Sequence, residues 1–397
     1  MKSLHGTPID PPQDYRATID HLLQYMHDVN FESFDPFDGL NSRLTLFAGS
    51  IHPFVARAIV QFFKSVPSGL IRKSFGVKMT KDDPKVLADV LLTLVNILTA
   101  KPDQRITDRA QELYALLLNE SIRQGDTILW GLKFPFNSRY VSSRNTPNLF
   151  TTVNVAFAIA NLYRYTHEQR LLDSLREINR SLVGSFGLNQ VADNTSYFAY
   201  YPGLREFVYN VNGLALKYLS YYYYITNDTE VLAVVDPIKR ALISRQNSDG
   251  SWFYSDSGKG RWIDGFHTGY TIEGLCFYKV FVEPSDDEVG KALTLASHYF
   301  IHHLLKANFP IYKRGLYPID SQNCSQAIQT RYFLYRAGYD DLTSIVDMTG
   351  LITEKLHYDG LYAYRRTRFM IYPGVFLRWS IAPFALALSY LSYGTNW

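Results

Sequence analysis

The sequence predicts an all-α protein, an (α/α)6 toroid in which six inner helices form a ring inside six outer helices. Helical segments that are apolar on nearly all sides alternate with amphipathic, charged segments, as expected of buried and half-exposed helices. The starts of the all-apolar segments recur near positions 151, 210, 267, 322 and 378, at nearly constant intervals. A constant period of this length is typical of stacked helical hairpins.

Each predicted element takes its place in this ring. The expected inner helices are 84–100, 151–166, 211–227, 267–282, 326–338 and 378–394, and the expected outer helices are 108–124, 167–183, 229–247, 285–305 and 340–357. We expect the toroid to span 83–397 and residues 1–82 to be a helical extension that completes the outer ring, all within a single domain. Either 14–29 or 52–66 could supply the sixth outer helix.

The connections that lead from outer to inner helices are long. They are rich in aromatic, Gly, Asn and Asp residues, and cover 125–149, 184–209, 247–264, 306–321 and 358–377. Loops of this length in a compact domain are usually functional. All of them reach the N-terminal ends of inner helices, so the sequence predicts a functional site on that rim.

Composition narrows the class of ligand. Lys and Arg number 40 against 37 Asp and Glu, with no basic run typical of nucleic-acid binding, so we expect no nucleic-acid partner. Aromatic residues are abundant, with 30 Tyr, 25 Phe and five Trp. Tyrosine combines a flat apolar face with a polar tip, which suits sugars and some isoprenoids, although most of these aromatics are expected to fill the core.

The sequence also bears on cellular location. Cys276 and Cys324 form no CxxC pair, and the N-terminus has no apolar signal-peptide core. The longest apolar stretch, 87–100, is too short to span a bilayer, so we expect a cytoplasmic protein. The stretch 64–81 carries five basic residues and could rest on an anionic membrane surface, or simply be a solvated face.

Sequence motifs suggest relatives. The turn from Gln246 to Trp252 resembles the Q-x-x-D-G-S-W turn of α/α-toroid enzymes, including terpenoid cyclases and protein prenyltransferases. Taken whole, the chain resembles polysaccharide-biosynthesis proteins of bacteria and archaea. The segments that carry this resemblance are DPFDGLNS (35–42), WGLKFPFNSRY (130–140), RWIDGFHTGY (261–270) and FLRWSIAPFALAL (376–388). It implies kinship with six-hairpin glycosidases, polysaccharide lyases and sugar epimerases, and an oligo- or polysaccharide substrate.

A weaker resemblance points to isoprenoid chemistry. His267, Thr268, Tyr270, Gly274 and Leu275 are similar to the zinc-binding segment of prenyltransferase β-subunits. That zinc site also needs an Asp-x-Cys, which this sequence lacks. We therefore expect no metal and no cofactor.

Four residues are the candidate catalytic groups. Asp264, His267 and Tyr270 recur every third position at the start of an inner helix, so they share one face, although Asp264 also fits a helix N-cap. Arg378 opens the last inner helix, where the helix dipole is already positive. It should therefore meet an acid, either Asp320, Asp359 or a substrate carboxylate.

Five more residues are candidates for substrate binding. They are aromatic platforms on three rim loops and polar groups at the start of the fifth inner helix, namely Trp130, Tyr201, Trp262, Asp320 and Gln322. We expect Trp262, Asp264, His267 and Tyr270 to line the deepest part of the cleft, facing Arg378 and Gln322.

Two reaction types fit these groups. Glycoside hydrolysis needs two carboxylates, for which the rim offers Asp193, Asp264, Asp320 and Asp359. Elimination or epimerisation needs a base and a cation instead, parts that His267, Tyr270 and Arg378 could play. The sequence therefore predicts a carbohydrate-active protein of polysaccharide biosynthesis or modification. A non-catalytic glycan-binding scaffold and a terpenoid cyclase-like or prenyltransferase-like enzyme are the alternatives.

Overall fold

The computed structural model describes residues 14–66, 68–192, 194–312 and 315–395. Its α-helices within these ranges, numbered in chain order, are α1 Arg16–Asp28, α2 Arg43–Ile51, α3 Pro53–Ser65, α4 Gly69–Ser74, α5 Pro84–Ala100, α6 Gln104–Asn119, α7 Leu149–Thr166, α8 Gln169–Phe186, α9 Tyr209–Thr226, α10 Leu232–Ser244, α11 Gly265–Phe281, α12 Asp287–His303, α13 Ser321–Arg336, α14 Leu342–Leu356 and α15 Ala382–Tyr393.

Short antiparallel strands lie in the segments that connect the helices. They are β1 Glu32–Ser33, β2 Thr80–Lys81, β3 Ile122–Gln124, β4 Thr127–Leu129, β5 Phe136–Asn137, β6 Val141–Ser142, β7 Leu188–Ala192, β8 Thr195–Phe198, β9 Leu305–Lys306, β10 Phe309–Pro310, β11 Ile319–Asp320, β12 His357–Tyr358, β13 Leu361–Tyr362, β14 Arg365–Arg366 and β15 Ile371–Tyr372. Most pair as hairpins of consecutive strands, whereas β1 pairs with β2 across the N-terminal helices and β14 lies between β11 and β15.

The helices form a closed double ring, which confirms the predicted (α/α)6 toroid. Inner helices α5, α7, α9, α11, α13 and α15 pack each against the next, and α15 packs back against α5. Each of α6, α8, α10, α12 and α14 packs outside the inner helix that precedes it. The sixth outer position, against α15, is occupied by α1, whereas α3 packs elsewhere.

The inner helices begin close to the predicted positions because polar caps fix their first turns. Asn148, Asp264 and Asp320 accept backbone N–H groups at the starts of α7, α11 and α13. Such caps satisfy the N–H groups that a helix start leaves unpaired. The last inner helix differs, because a π-helical turn over Leu377–Ile381 precedes α15.

Two glycines allow the closest helix contact in the ring. A Cβ on Gly274 of α11 would lie 2.3 Å from the carbonyl oxygen of Gly213 on α9, and a Cβ on Gly213 would lie 2.5 Å from the carbonyl oxygen of Tyr270. Both distances are shorter than atoms tolerate. Glycine at these positions therefore sets the spacing of α9 and α11, and with it the position of the α11 side chains.

Helices α2, α3 and α4 form a small N-terminal unit beside the rim. Inside it, the guanidinium of Arg72 donates to Asp38 at 3.0 Å with both side chains fully buried. Phe37 joins the unit to the rim, its ring 5.2 Å from those of Phe136 and Trp379. Of the helices in the described part of the chain, none is both long and apolar enough to cross a membrane.

Candidate functional site

The start of α11 carries a paired carboxylate and imidazole. Asp264 caps the helix by accepting the backbone N–H of His267 at 2.7 Å, and its other carboxylate oxygen lies 2.8 Å from Nδ1 of the same histidine. Asp264 is 3% exposed, whereas the His267 side chain is 25% exposed. A buried carboxylate at Nδ1 favours the tautomer with its proton there, so that Nε2 is the nitrogen able to accept a proton.

An aromatic wall holds this imidazole in place. The rings of Tyr254 and Trp262 are stacked 4.6 Å apart, and His267 meets both edge-on at 4.9 Å. Phe266 contacts the other side of the imidazole at 5.0 Å. Trp262 is 36% exposed, so a ring face is available to solvent beside the histidine.

A second polar cluster, which no sequence pattern predicted, adjoins the wall. The Arg139 guanidinium lies 5.4 Å from the Tyr254 ring and donates to Glu206 and Ser257, and Glu206 also accepts from Ser255. Burial raises the pKa of Glu206, but hydrogen bonds from the serines and the charge of Arg139 outweigh it and lower the pKa overall. Glu206 is therefore an ionised partner of Arg139. These residues come from three different loops, so no spacing within a single segment of the sequence predicts the cluster.

Tyr201 belongs to a tyrosine cluster on the neighbouring loops. Its ring contacts those of Tyr200 at 4.7 Å and Tyr140 at 5.9 Å, and its hydroxyl donates to Ser142 at 3.4 Å. Tyr140 in turn accepts from Arg139 at 3.2 Å. The structure thus brings Tyr201 into the rim surface next to the Arg139 cluster, half-buried and fixed by its neighbours.

Below the wall, Tyr270 and Gln322 line a central cavity inside the inner ring. The cavity has a volume of about 20 Å³, room for about one water and too little for a sugar ring. Tyr270 is 5% exposed, and burial raises its pKa well above the ordinary value, so it is a neutral phenol. Tyr270 and Gln322 therefore lie beneath Trp262 and His267. Trp262 and His267 are at the exposed end of the predicted row of site residues, and not in the deepest part of the cleft as expected.

Buried charges form the floor of this cavity. Lys217 of α9 donates to Glu273 of α11 at 2.7 Å, and Thr330 donates to the same carboxylate at 3.1 Å. A second buried pair, Lys85 and Asp89, stands on α5. Burial lowers the pKa of Lys217 although Glu273 acts against it.

Three of the oxygens in the cavity wall have no hydrogen-bond partner within the described residues, namely Asp89 Oδ2, Gln322 Oε1 and the Tyr390 hydroxyl. Such atoms are costly to bury unless something polar reaches them. The floor is therefore suited to an ordered water or a single hydroxyl group.

Buried ions in and around the ring are paired with one another. Glu273 pairs with Lys217, and Arg331 forms a two-pronged ion pair with Asp340 at 2.6 and 2.7 Å. Arg378 binds neither Asp320 nor Asp359, which were its predicted partners.

Arg378 is instead held by the N-terminal region. It donates to both carboxylate oxygens of Asp35, at 2.7 and 2.8 Å, with both side chains buried. Burial alone would lower the pKa of Arg378, but the charge and hydrogen bonds of Asp35 outweigh it and raise the pKa. Because Asp35 binds its guanidinium, Arg378 forms an ion pair that joins the last inner helix to the N-terminal region.

Two further predicted site residues, Trp130 and Asp320, are buried among structural contacts. Trp130 is fully buried and donates to the Leu117 carbonyl at 2.7 Å, which corrects its expected place as an exposed platform. Asp320 is fully buried, caps α13 and accepts from Arg365 at 2.5 Å and from Trp379 at 3.1 Å.

One of the two remaining candidate carboxylates is exposed in the structure. Asp359 lies in the exposed turn between β12 and β13, with a φ of 51°. Asp193 falls outside the described residues. Among the described residues, no group of three or more His, Cys, Asp or Glu side chains converges as metal ligands do.

Comparison with solved structures places the fold among toroid enzymes. A sugar epimerase from a ruminal bacterium matches with a TM-score of 0.59 and 10% identity, over 81% of this chain and 91% of that protein. Cellobiose 2-epimerase from Bacillus thermoamylovorans matches at 0.61 and 10%, over 78% and 87%. The chain shares its fold with carbohydrate-active enzymes.

An α-1,6-mannanase of Salegentibacter, solved as an inactive variant with α-1,6-mannotriose, also matches. Its TM-score is 0.57 and its identity 13%, over 78% of this chain and 88% of that one. At such identities the likeness shows the fold. No protein-family model and no curated protein sequence matches the chain, so membership of a polysaccharide-biosynthesis family stays a prediction.

Proposed function

We propose that this protein is a carbohydrate-active enzyme that binds a saccharide across its rim and uses His267 to transfer a proton at a sugar carbon. The observation that carries the proposal is the Asp264–His267 pair beside the exposed face of Trp262. Toroid enzymes named as sugar epimerases and a mannanase with bound mannotriose support a saccharide as the ligand. Epimerisation and elimination both begin with such a proton transfer.

The chemistry follows from the surroundings of the imidazole. His267 Nε2 removes the proton from a carbon next to a carbonyl or carboxylate group, and the buried Asp264 carboxylate stabilises the imidazolium that forms. Tyr270, neutral and therefore a hydrogen-bond donor, lies one turn deeper and supports the site from below. The Trp262 face provides the apolar surface on which a sugar ring stacks.

We propose that Arg139, and not Arg378 as predicted from the sequence, is the cation that stabilises the developing negative charge. Arg378 is fully engaged with Asp35, whereas the Arg139 side chain is 20% exposed and stands over Tyr254 of the aromatic wall. Arginine and its paired Glu206 also offer both donors and acceptors for sugar hydroxyls.

Hydrolysis is disfavoured because three of the described rim carboxylates already have partners, and a fourth, Asp359, lies in the exposed turn between β12 and β13. An inverting glycosidase needs two carboxylates about 6.5–9.5 Å apart with one free to act as an acid. Asp264 caps a helix and binds His267, Asp320 binds Arg365 and Trp379, and Glu206 pairs with Arg139. These commitments support proton transfer at carbon over attack by water.

The test is a product survey on neutral and uronate-containing saccharides. The proposal expects either an epimer, detected by NMR, or an unsaturated product, detected by its ultraviolet absorbance. His267→Gln should lower the rate about 10²–10⁴-fold, the usual contribution of a general base. His303→Gln, at the end of outer helix α12, is the matched control and should leave the rate unchanged.

Three outcomes would contradict the proposal. Release of reducing ends without an epimer or unsaturated product would show hydrolysis. Saccharide binding without turnover would favour a glycan-binding scaffold in polysaccharide biosynthesis. Binding of a prenyl diphosphate without saccharide binding would favour the alternative of an isoprenoid enzyme.

A further inference from the structure

The N-terminal unit exposes an unusual number of large apolar side chains. On α2, Leu44, Phe47 and Ile51 are 64%, 72% and 70% exposed. Their spacing of three and four residues places them on one face of the helix. Isolated exposed apolar residues are normal, whereas a row of them marks an interaction surface.

Further exposed apolar side chains lie on the next two helices. Phe54, 72% exposed, and Phe62 are eight positions apart on α3 and so share a face. The Phe62 ring lies 5.9 Å from that of Phe75, which follows α4, and Leu70 on α4 is 78% exposed. We call this set the apolar face; its members are Leu44, Phe47, Ile51, Phe54, Phe62, Leu70 and Phe75.

The fold of the unit does not depend on the apolar face. A different set of side chains, Leu40, Ala56, Val60 and Phe63, is buried inside the unit. The buried Arg72–Asp38 pair holds α4 to the turn before α2. The exposed residues are therefore available for a partner without unfolding of the unit.

The segment that bears the apolar face carries basic residues and no acidic ones. From Gly39 to Lys81 the sequence contains seven Lys and Arg residues and no Asp or Glu. Five of the seven are exposed, namely Arg43, Arg57, Lys73, Lys78 and Lys81, although exposed Glu32 lies opposite Lys81 in the β1–β2 pair. An apolar face on a basic segment complements an anionic, partly apolar surface.

We propose that the apolar face docks on an anionic lipid membrane. Its Phe, Leu and Ile side chains enter the boundary between headgroups and acyl chains, while the surrounding basic residues contact lipid phosphates. The basic stretch 64–81 noted in the sequence supplies only part of this surface, and most of the surface's apolar residues lie on α2 and α3. Because Phe37 joins the unit to the rim through Phe136 and Trp379, docking would bring the rim close to the bilayer.

Vesicle flotation tests this proposal with the whole chain. The protein should float with vesicles of phosphatidylcholine mixed with phosphatidylglycerol, float much less with phosphatidylcholine alone, and lose binding at high salt. Phe47→Ser combined with Phe54→Ser should weaken binding about tenfold or more, because two inserted rings are lost. Arg57→Glu combined with Lys73→Glu should weaken it by at least about tenfold, since each basic residue near the surface contributes about fivefold.

Phe369→Ser is the matched control. Phe369 is 87% exposed on the loop between β14 and β15 and is not a member of the apolar face, so its loss should not change binding. Circular dichroism should show every variant folded, because the altered side chains are exposed.

The proposal is overturned if binding is equal for both vesicle types, or if the Phe47 and Phe54 changes leave it unaltered. It is also overturned if the protein dimerises without lipid and Phe47→Ser dissociates the dimer, because the face would then join two copies of the chain. Failure of flotation leaves the saccharide assays unaffected, so the two proposals fail separately.

Discussion

Replacing Asp35 by Asn should destabilise the whole toroid, although Asp35 lies outside the ring. Asp35 binds Arg378 through two hydrogen bonds of 2.7 and 2.8 Å, and the pair is buried. It joins positions 343 residues apart, at the point where the last inner helix begins. Asparagine keeps the size of the side chain but removes the negative charge, which leaves a buried guanidinium without its counter-ion.

The size of the effect follows from this environment. Breaking a buried ion pair by removing one partner usually costs about 3–5 kcal/mol of the free energy of unfolding. Asp83 is also close enough for Arg378 to act on its pKa, so part of the lost charge is replaced. We therefore expect a loss near the lower limit, about 3 kcal/mol.

Chemical denaturation measures this loss, with two variants for comparison. Glu112→Gln breaks the exposed Arg109–Glu112 pair and should cost at most about 1 kcal/mol. Asp35→Asn combined with Arg378→Met should cost less than Asp35→Asn alone, because the unpaired charge is gone. A loss below about 1 kcal/mol for Asp35→Asn would refute the reasoning, since a surface pair would then be worth as much.

Three further changes test other parts of the structure. Burial lowers the pKa of Lys64 in the folded state to about 8. Between pH 8 and 10.5 the unfolded state therefore binds more protons than the folded state, and the free energy of unfolding increases as pH rises. Lys64→Met should therefore be more stable than the wild type by up to about 3 kcal/mol at pH 7. Denaturation should show that this gain vanishes above pH 10.5. A difference in the free energy of unfolding that stays constant with pH would contradict the prediction. Gly274→Ala should cost about 1–3 kcal/mol by forcing α9 and α11 apart, whereas Gly184→Ala, with open space around its Cβ, should not destabilise the fold; equal thermal stabilities would argue against the close contact. Trp262→Ala should weaken saccharide binding in calorimetry about tenfold with unchanged thermal stability, and unchanged affinity would remove Trp262 from the site.

The ring was predictable because each inner helix is apolar on nearly all sides. Helices α7, α9, α11 and α13 begin within two residues of the starts expected near 151, 210, 267 and 322, since Asn and Asp caps mark three of those starts. The segment expected as the helix itself, 326–338, began five residues after the observed start of α13. The last helix was placed four residues early because the π-helical turn has the same apolar pattern as the α-helix that follows.

Contacts between distant segments could not be read from local pattern. Nothing near Arg378 indicates that its acid is Asp35, and the apolar pattern around Trp130 fits a core residue as well as an exposed platform. Lys217 did carry a usable signal, because a lone lysine in an otherwise apolar inner helix requires a buried acid. Glu273 on the neighbouring inner helix would have been the candidate.

Deuterium exchange tests the role of His267 most directly. A saccharide that the protein turns over is incubated in D2O, and NMR follows the proton next to its carbonyl or carboxylate group. For a substrate that is epimerised, proton transfer by His267 predicts that deuterium appears at that carbon; for a substrate that undergoes elimination, it predicts that the signal of that proton is lost. Either change should be about 10²–10⁴-fold slower with His267→Gln. An epimer formed without deuterium at that carbon, an unsaturated product that keeps that proton, or an equal rate with His267→Gln would contradict the account.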